Sequence, residues 1–108
     1  MSLTIHPTPE FSKSVKKLFK RYKQIAKDLL TLEKELQDNP EAGIDIGHHC
    51  YKLRLANSSV PTGKSGGFRV IYFLRKEKKI YLLAIYSKSD LENLEEKKLL
   101  DIMFANDL

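Results

Sequence analysis

The run Phe68-Arg69-Val70-Ile71-Tyr72-Phe73-Leu74 constrains this chain more than any other stretch. It does not alternate apolar with polar residues, so it reads as a central strand covered on both faces. Arg69 is its exception, because a guanidinium in such a run is costly unless it is paired or reaches solvent. Two further strands are predicted beside it, Cys50–Ala56 and Lys79–Tyr86. In the first, Tyr51, Leu53 and Leu55 alternate with Lys52 and Arg54. The apolar three should face a core, which leaves the two bases together on the opposite face. A loop carrying Lys64, Pro61-Thr62-Gly63-Lys64-Ser65-Gly66-Gly67, joins the first two strands. The charged turn Arg75-Lys76-Glu77-Lys78 joins the last two. Lys52, Arg54 and Arg69 on neighbouring strands, beside that glycine-rich loop, suit a sheet face that holds an anion.

The rest of the chain supplies cover for this sheet. Leu3-Thr4-Ile5-His6 is a short alternating run, predicted as an edge strand that returns to the sheet. Thr8-Pro9-Glu10 starts a helix, with Thr8 as N-cap, Pro9 in the first helical position and Glu10 near the positive end of the dipole. Phe11, Val15, Leu18 and Phe19 follow at helical spacing. A second stripe contains Ile25, Leu29, Leu32 and Leu36, widened by Ala26 and Leu30, and stops at Asn39-Pro40. Arg21–Gln24 contains neither Gly nor Pro, so one long bent helix also fits; an antiparallel helix pair is the reading adopted. Residues Glu41–His49 read as a loop. Near the end, Asn93 is a predicted N-cap with Glu96 completing a capping box, and Leu94, Leu99, Leu100, Ile102, Met103 and Phe104 form the apolar side of a last helix. The fold class is α+β: an N-terminal helical hairpin on a small twisted antiparallel sheet, with a C-terminal helix, in one domain over residues 1–108.

Charge is distributed unevenly along the chain. Net charge is +5, yet between Cys50 and Lys88 nine bases stand against Glu77 alone. After Lys88 the balance turns acidic. Such segregation fits a polyanion-binding face, with nucleic acid the default partner, and also fits a solvated basic surface. The single cysteine, Cys50, excludes an internal disulfide and opens a strand, where a buried inert thiol is expected. No apolar run has the roughly 20 residues that span a bilayer, and the N-terminus lacks a signal-peptide core. A cytoplasmic protein is expected, with no membrane partner. His48 and His49 are adjacent and read as loop residues; no Cys/His/carboxylate spacing suggests a metal, and no cofactor is expected.

Three segments carry a resemblance: Cys50-Tyr51-Lys52-Leu53-Arg54-Leu55, Gly63-Lys64-Ser65-Gly66-Gly67-Phe68-Arg69-Val70-Ile71-Tyr72, and Ile80–Ser89. Together with the helix pair and the capped last helix, they make the chain similar to the RelE/ParE superfamily of bacterial type II toxins, above all to its RelE- and HigB-like mRNA interferases. The glycines precede a strand and not a helix, so they form no nucleotide P-loop. The resemblance implies a ribosome-dependent, metal-independent endoribonuclease that cuts mRNA in the decoding site and is held in check by a cognate antitoxin in a hetero-oligomer. It also implies site residues. Lys52 and Arg54 match paired bases of the interferase strand, Arg69 the arginine after the glycines, and Lys88 a basic position past the last strand. Lys64, Tyr86 and Arg75 are the further RNA-binding candidates. One departure is visible: Ser89-Asp90-Leu91-Glu92-Asn93 lacks the arginine or aromatic that interferases often carry after that strand.

Attack of a 2′-hydroxyl on its own phosphate needs a base, stabilised phosphorane charge and a protonated leaving oxygen. Fixed arginines suit the second task, and Arg69 offers a planar fork for two phosphate oxygens. A lysine crowded by cations has a lowered pKa, which makes Lys52 the candidate base, with Arg54 or Lys88 stabilising or donating. Two alternatives remain open on the sequence. One is a ParE-like toxin that inhibits DNA gyrase without cutting RNA; the other is an inactive RNA- or antitoxin-binding module.

Overall fold

The computed structural model describes residues 3–61, 66–76 and 78–108. In chain order it contains β1 (Thr4–Pro7), α1 (Pro9–Phe19), α2 (Ile25–Asp38), β2 (Ile44–Gly47), β3 (Cys50–Leu55), β4 (Phe68–Arg75), β5 (Lys79–Ser87) and α3 (Glu96–Ala105). The strands form one sheet in the order β1-β5-β4-β3-β2. The apolar run is thus central, as its composition requires. Pairings β2/β3, β3/β4 and β4/β5 are antiparallel, whereas β1 runs parallel to β5, so the sheet is mixed rather than wholly antiparallel. No hairpin ties β1 to its neighbour, and the antiparallel constraint of a tight turn does not apply to it.

The α1 start behaves as its residues dictate. Thr8 Oγ1 accepts from the Phe11 N–H at 3.2 Å and donates to the Leu82 carbonyl at 2.8 Å, capping the helix and tying it to β5. The two helices are separate. The break between them is held by Tyr22, which is buried and meets Phe68 edge-on at 5.5 Å. Phe11, Leu18, Ile25, Leu32 and Leu36 pack on Leu53, Leu55, Phe68, Val70, Tyr72 and Ile85, forming the main core. Each such side chain contributes about 1.5–3 kcal/mol by burial. Leu30 lies outside this stripe at 68% exposure, and Phe19 is also exposed.

The other sheet face is covered by α3. Leu99 and Met103 rest on Cys50, Ile71, Phe73, Leu83 and Ala84. Burial pushes the Cys50 thiol up to about 11, as expected of an inert core cysteine. A β-bulge decides what this face presents. Ile71 pairs with Ala84 but Tyr72 pairs with Leu82, leaving Leu83 as the extra residue. Alternation from Leu82, a main-core residue, would by itself place Tyr86 among the helices; the bulge turns it to the α3 side.

Three local expectations are corrected. Glu41–His49 is not all loop, since Ile44–Gly47 forms the edge strand β2. Gly47 pairs with Cys50 across a two-residue turn in which His48 and His49 have φ of 56° and 61°, the left-handed pair of a type I′ hairpin. Asn93 does not cap α3: the N-cap is Glu95, with no side-chain cap bond. The apolar side of α3 is also narrower than predicted, because Leu100 and Phe104 point to solvent at 39% and 85% exposure.

Candidate active site

The register places the predicted cations in rows across the α3 side of the sheet. Arg54 lies directly opposite Arg69, and Arg69 directly opposite Tyr86. The next row holds Lys52, Ile71 and Ala84. Gly67 helps fix this register, because a Cβ there would collide with the Leu55 carbonyl and crowd the Asn57 N–H. Lys52, Arg54 and Arg69 are therefore brought together, on the face away from the helical hairpin.

Arg69 is buried, 5% exposed, and its Nη1 donates to the Phe68 carbonyl at 3.3 Å. Arg54 is exposed. Like charges directly opposite on a ladder are destabilising, so stability alone does not favour the Arg54–Arg69 pair. Lys52 is half-buried and its Nζ donates to Asn93 Oδ1 at 2.6 Å. Burial lowers the pKa of this ammonium; the positive charges of Arg69 and then Arg54 lower it further, against a smaller opposing pull from Glu92. The Tyr86 hydroxyl is buried and has no hydrogen-bond partner among the described residues, although the Leu94 backbone lies near enough to act on its ionisation. Burial raises its pKa, with Leu94 and Arg69 opposing, so it stays a neutral hydroxyl at pH 7.

Lys52 and Tyr86 share a cavity of about 210 Å³ between the sheet and the start of α3, which Asn93, His48 and Glu96 also line. Asn93 and His48 are the residues that sequence reasoning missed here. The first has the chemistry of a helix cap. The second is one of two adjacent histidines, which cannot share a face of a regular element, yet the type I′ turn sends only His48 to this cavity.

The other candidates lie elsewhere. Lys88 is exposed just past β5, where its N–H donates to the Gly67 carbonyl at 3.1 Å, at the Arg69 end of the sheet. Arg75 closes β4 six residues from Arg69, roughly 20 Å along the strand, with its guanidinium 5.5 Å from the Tyr81 ring centroid. It does not join the cluster. Lys64 lies outside the described residues. The segment after β5 is held by Asp90, whose carboxylate accepts from Arg21 Nη1 at 2.6 and 2.7 Å; this bond keeps Asp90 below the usual carboxylate range.

A second basic surface appears on the helical side. Lys13, Lys16, Lys17, Lys20, Arg21, Lys23 and Lys27 are all exposed, and no acidic residue intervenes between Lys13 and Lys27. Lys17, Lys20 and Arg21 line a groove of about 440 Å³ that reaches the end of β5 at Tyr86.

Comparison with known proteins agrees with this architecture. A model of the RelE toxin of the RelE/RelB toxin–antitoxin system matches residues 10–106. The chain belongs to this toxin family. Its fold is similar to that of Escherichia coli RelE. A free double arginine-to-alanine mutant of RelE superposes with a TM-score of 0.58 at 17% identity, covering 100% of both chains. The same mutant bound to a peptide of the antitoxin RelB gives 0.59 at 16% identity, covering 100% of this chain and 96% of that one. Isolated RelE gives 0.53 at 20% identity, covering 99% and 100%. Among the described residues no group of three His, Cys, Asp or Glu side chains is placed to hold a metal ion, and no helix is long and apolar enough to cross a membrane.

Proposed function

We propose that this toxin is an endoribonuclease that cuts mRNA on the ribosome without a metal ion, using the cation face of its sheet. The observation that carries the reading is the row Arg54–Arg69–Tyr86 with Lys52 beside it. Opposed arginines cost stability on an otherwise well-packed ladder, and a phosphate between them turns that cost into binding.

The roles follow from chemistry and burial. Lys52 acts in its neutral form, which burial and the neighbouring cations favour, and its amine takes the 2′-hydroxyl proton. The 2′-oxygen attacks phosphorus, the bond to the 5′-oxygen breaks, and a cyclic 2′,3′-phosphate remains. Arg69, fixed in the central strand, stabilises the phosphorane together with Arg54. Lys88, at the same end of the sheet, gives a proton to the leaving 5′-oxygen. Lys64 and Tyr86 belong to the RNA-binding set, whereas Arg75 stands too far along β4 to touch the same phosphate.

Dependence on the ribosome is supported by the helical-side bases, which face away from the cation sheet and suit the backbone of a structured RNA. Control by an antitoxin is supported by family membership and by the RelB peptide complex of the E. coli protein. A hetero-oligomer in which an acidic or amphipathic segment masks the cation face is the corresponding arrangement.

The test is primer extension on mRNA from programmed ribosomes and on the same mRNA free in solution. Discrete cuts within the translated frame on ribosomes only are expected. Equal cutting of free RNA at low protein concentration rejects ribosome dependence, and no cutting of either rejects the nuclease reading.

A further inference from the structure

The groove on the helical side contains a charge of the wrong sign. Lys17, Lys20 and Arg21 line it, and Asp90 is the one acid among its described lining residues. Both oxygens of that carboxylate accept from Arg21 Nη1, at 2.7 and 2.6 Å, so Asp90 occupies the nitrogen that would otherwise meet a phosphate. Arg21 does not depend on this contact for its placement. Its Nη2 donates to the Tyr22 hydroxyl at 2.9 Å, and its guanidinium carbon lies 4.9 Å from the Tyr22 ring centroid. Tyr22 is itself buried against Phe68, the residue before Arg69. The guanidinium therefore stays aimed into the groove when Asp90 leaves. Asp90 hangs from the turn after β5, where its N–H donates to the Ser87 carbonyl at 3.1 Å. With 53% of the Arg21 side chain and 45% of the Asp90 side chain exposed, water screens the pair and it opens at little cost.

We propose that the Arg21–Asp90 pair is an autoinhibitory latch: Asp90 stands in for a backbone phosphate of the RNA strand, and the strand displaces it on entering the groove. The inference rests on the reading that RNA is the substrate and adds how entry of that substrate is regulated. Tyr86 borders the groove and lies directly opposite Arg69, so groove and cation row meet at one residue. Lys88 stands two residues before Asp90, on the turn that the pair ties to the helices. The exchange favours RNA because a strand meets Lys17, Lys20 and Arg21 together and releases counterions as it does so, whereas Asp90 offers a single carboxylate. While the latch is closed, the same carboxylate repels any phosphate that approaches the groove.

The test titrates the full chain into a labelled single-stranded 2′-O-methyl oligouridylate, which lacks the attacking hydroxyl, and follows fluorescence anisotropy. Asp90→Ala should tighten binding roughly three- to tenfold, since an exposed pair resists opening by up to about fivefold and the carboxylate also repels the incoming phosphate. In an Arg21→Gln background the same change should gain no more than about twofold, from relieved repulsion alone. Asp90→Ala should melt close to the wild type. Unchanged or weaker binding by Asp90→Ala makes the pair a structural tie and overturns the inference, whether or not Tm falls. An equal gain in both backgrounds also overturns it, because net charge then accounts for the whole effect. Absence of binding in every variant rejects it as well. None of these results touches the nuclease reading, which stands on cutting of ribosome-bound mRNA. If the wild type cuts no mRNA on ribosomes, the nuclease reading fails, and the binding comparison still decides the latch.

Discussion

Arg54→Gln separates what the cation face costs the fold from what it gives the chemistry. Arg54 stands directly opposite Arg69, and a like-charged cross-strand pair costs about 0.2–1 kcal/mol. Arg54 is exposed, so solvent screening places the effect in the lower half of that range. The variant should therefore gain about 0.2–0.5 kcal/mol, raising Tm by about 1–3 °C in a chain of this size. In 1 M salt, where the screening length is about 3 Å, the gain should vanish. Activity should move the other way, falling roughly a hundredfold with the loss of one preorganised donor. Because Arg54 is among the charges that depress Lys52, its removal should also shift the pH–rate profile toward alkaline values. Thermal denaturation at low and high salt, beside initial rates of mRNA cutting on programmed ribosomes, reads all three effects from one preparation. A Tm lowered by several degrees would show that Arg54 anchors a partner, and retained activity would remove it from the catalytic set.

Lys52→Arg keeps the charge but cannot release the proton, so cutting should fall at least a hundredfold and lose its rise with pH. Lys52 also has a stability signature. Its folded-state pKa lies below the unfolded value, so the unfolded chain binds more protons between the two, and wild-type stability should rise with pH through the window just below about 10.5 in a titration that Lys52→Gln abolishes. Thr8→Ala removes a helix cap and a buried bond to Leu82, costing about 2 kcal/mol, and calorimetry should show a clear drop in Tm. Changing Lys16, Lys17 and Lys20 together to Gln should flatten the logarithmic salt dependence of ribosome binding by about two or more, with Tm nearly unchanged; an unaltered slope would separate this surface from RNA.

Much of this arrangement is legible in the residues. The uninterrupted apolar run of β4 sets the centre of the sheet, and alternation in β3 sends Lys52 and Arg54 to one side. Thr8-Pro9-Glu10 specifies the α1 start. What was not legible depends on three-dimensional context. β2 is a four-residue edge strand with Asp45 and Gly47 inside it, too short and polar to show a period. The face of Tyr86 turns on a single extra residue at Leu83, which period-two counting cannot locate inside a uniformly apolar strand. Asn93 has the chemistry of an N-cap, but a lysine 41 positions earlier uses its oxygen instead. Arg75, an RNA-binding candidate on the sequence, is carried by β4 to the opposite end of the sheet from Arg69. Glu96 has the spacing of half a capping box, and its place at the cavity emerges only once α3 lies across the sheet.

Arg69 serves transition-state chemistry rather than the fold in the proposed mechanism, and paired measurement of Tm and single-turnover cutting of ribosome-bound mRNA by Arg69→Ala and Arg69→Lys decides between the two roles. Arg69→Ala should keep a Tm close to that of the wild type or above it while cutting falls roughly a hundredfold or more, with little recovery in Arg69→Lys, whose ammonium cannot span two phosphate oxygens. An Arg69→Ala protein with a clearly lowered Tm and undiminished cutting of ribosome-bound mRNA would contradict it.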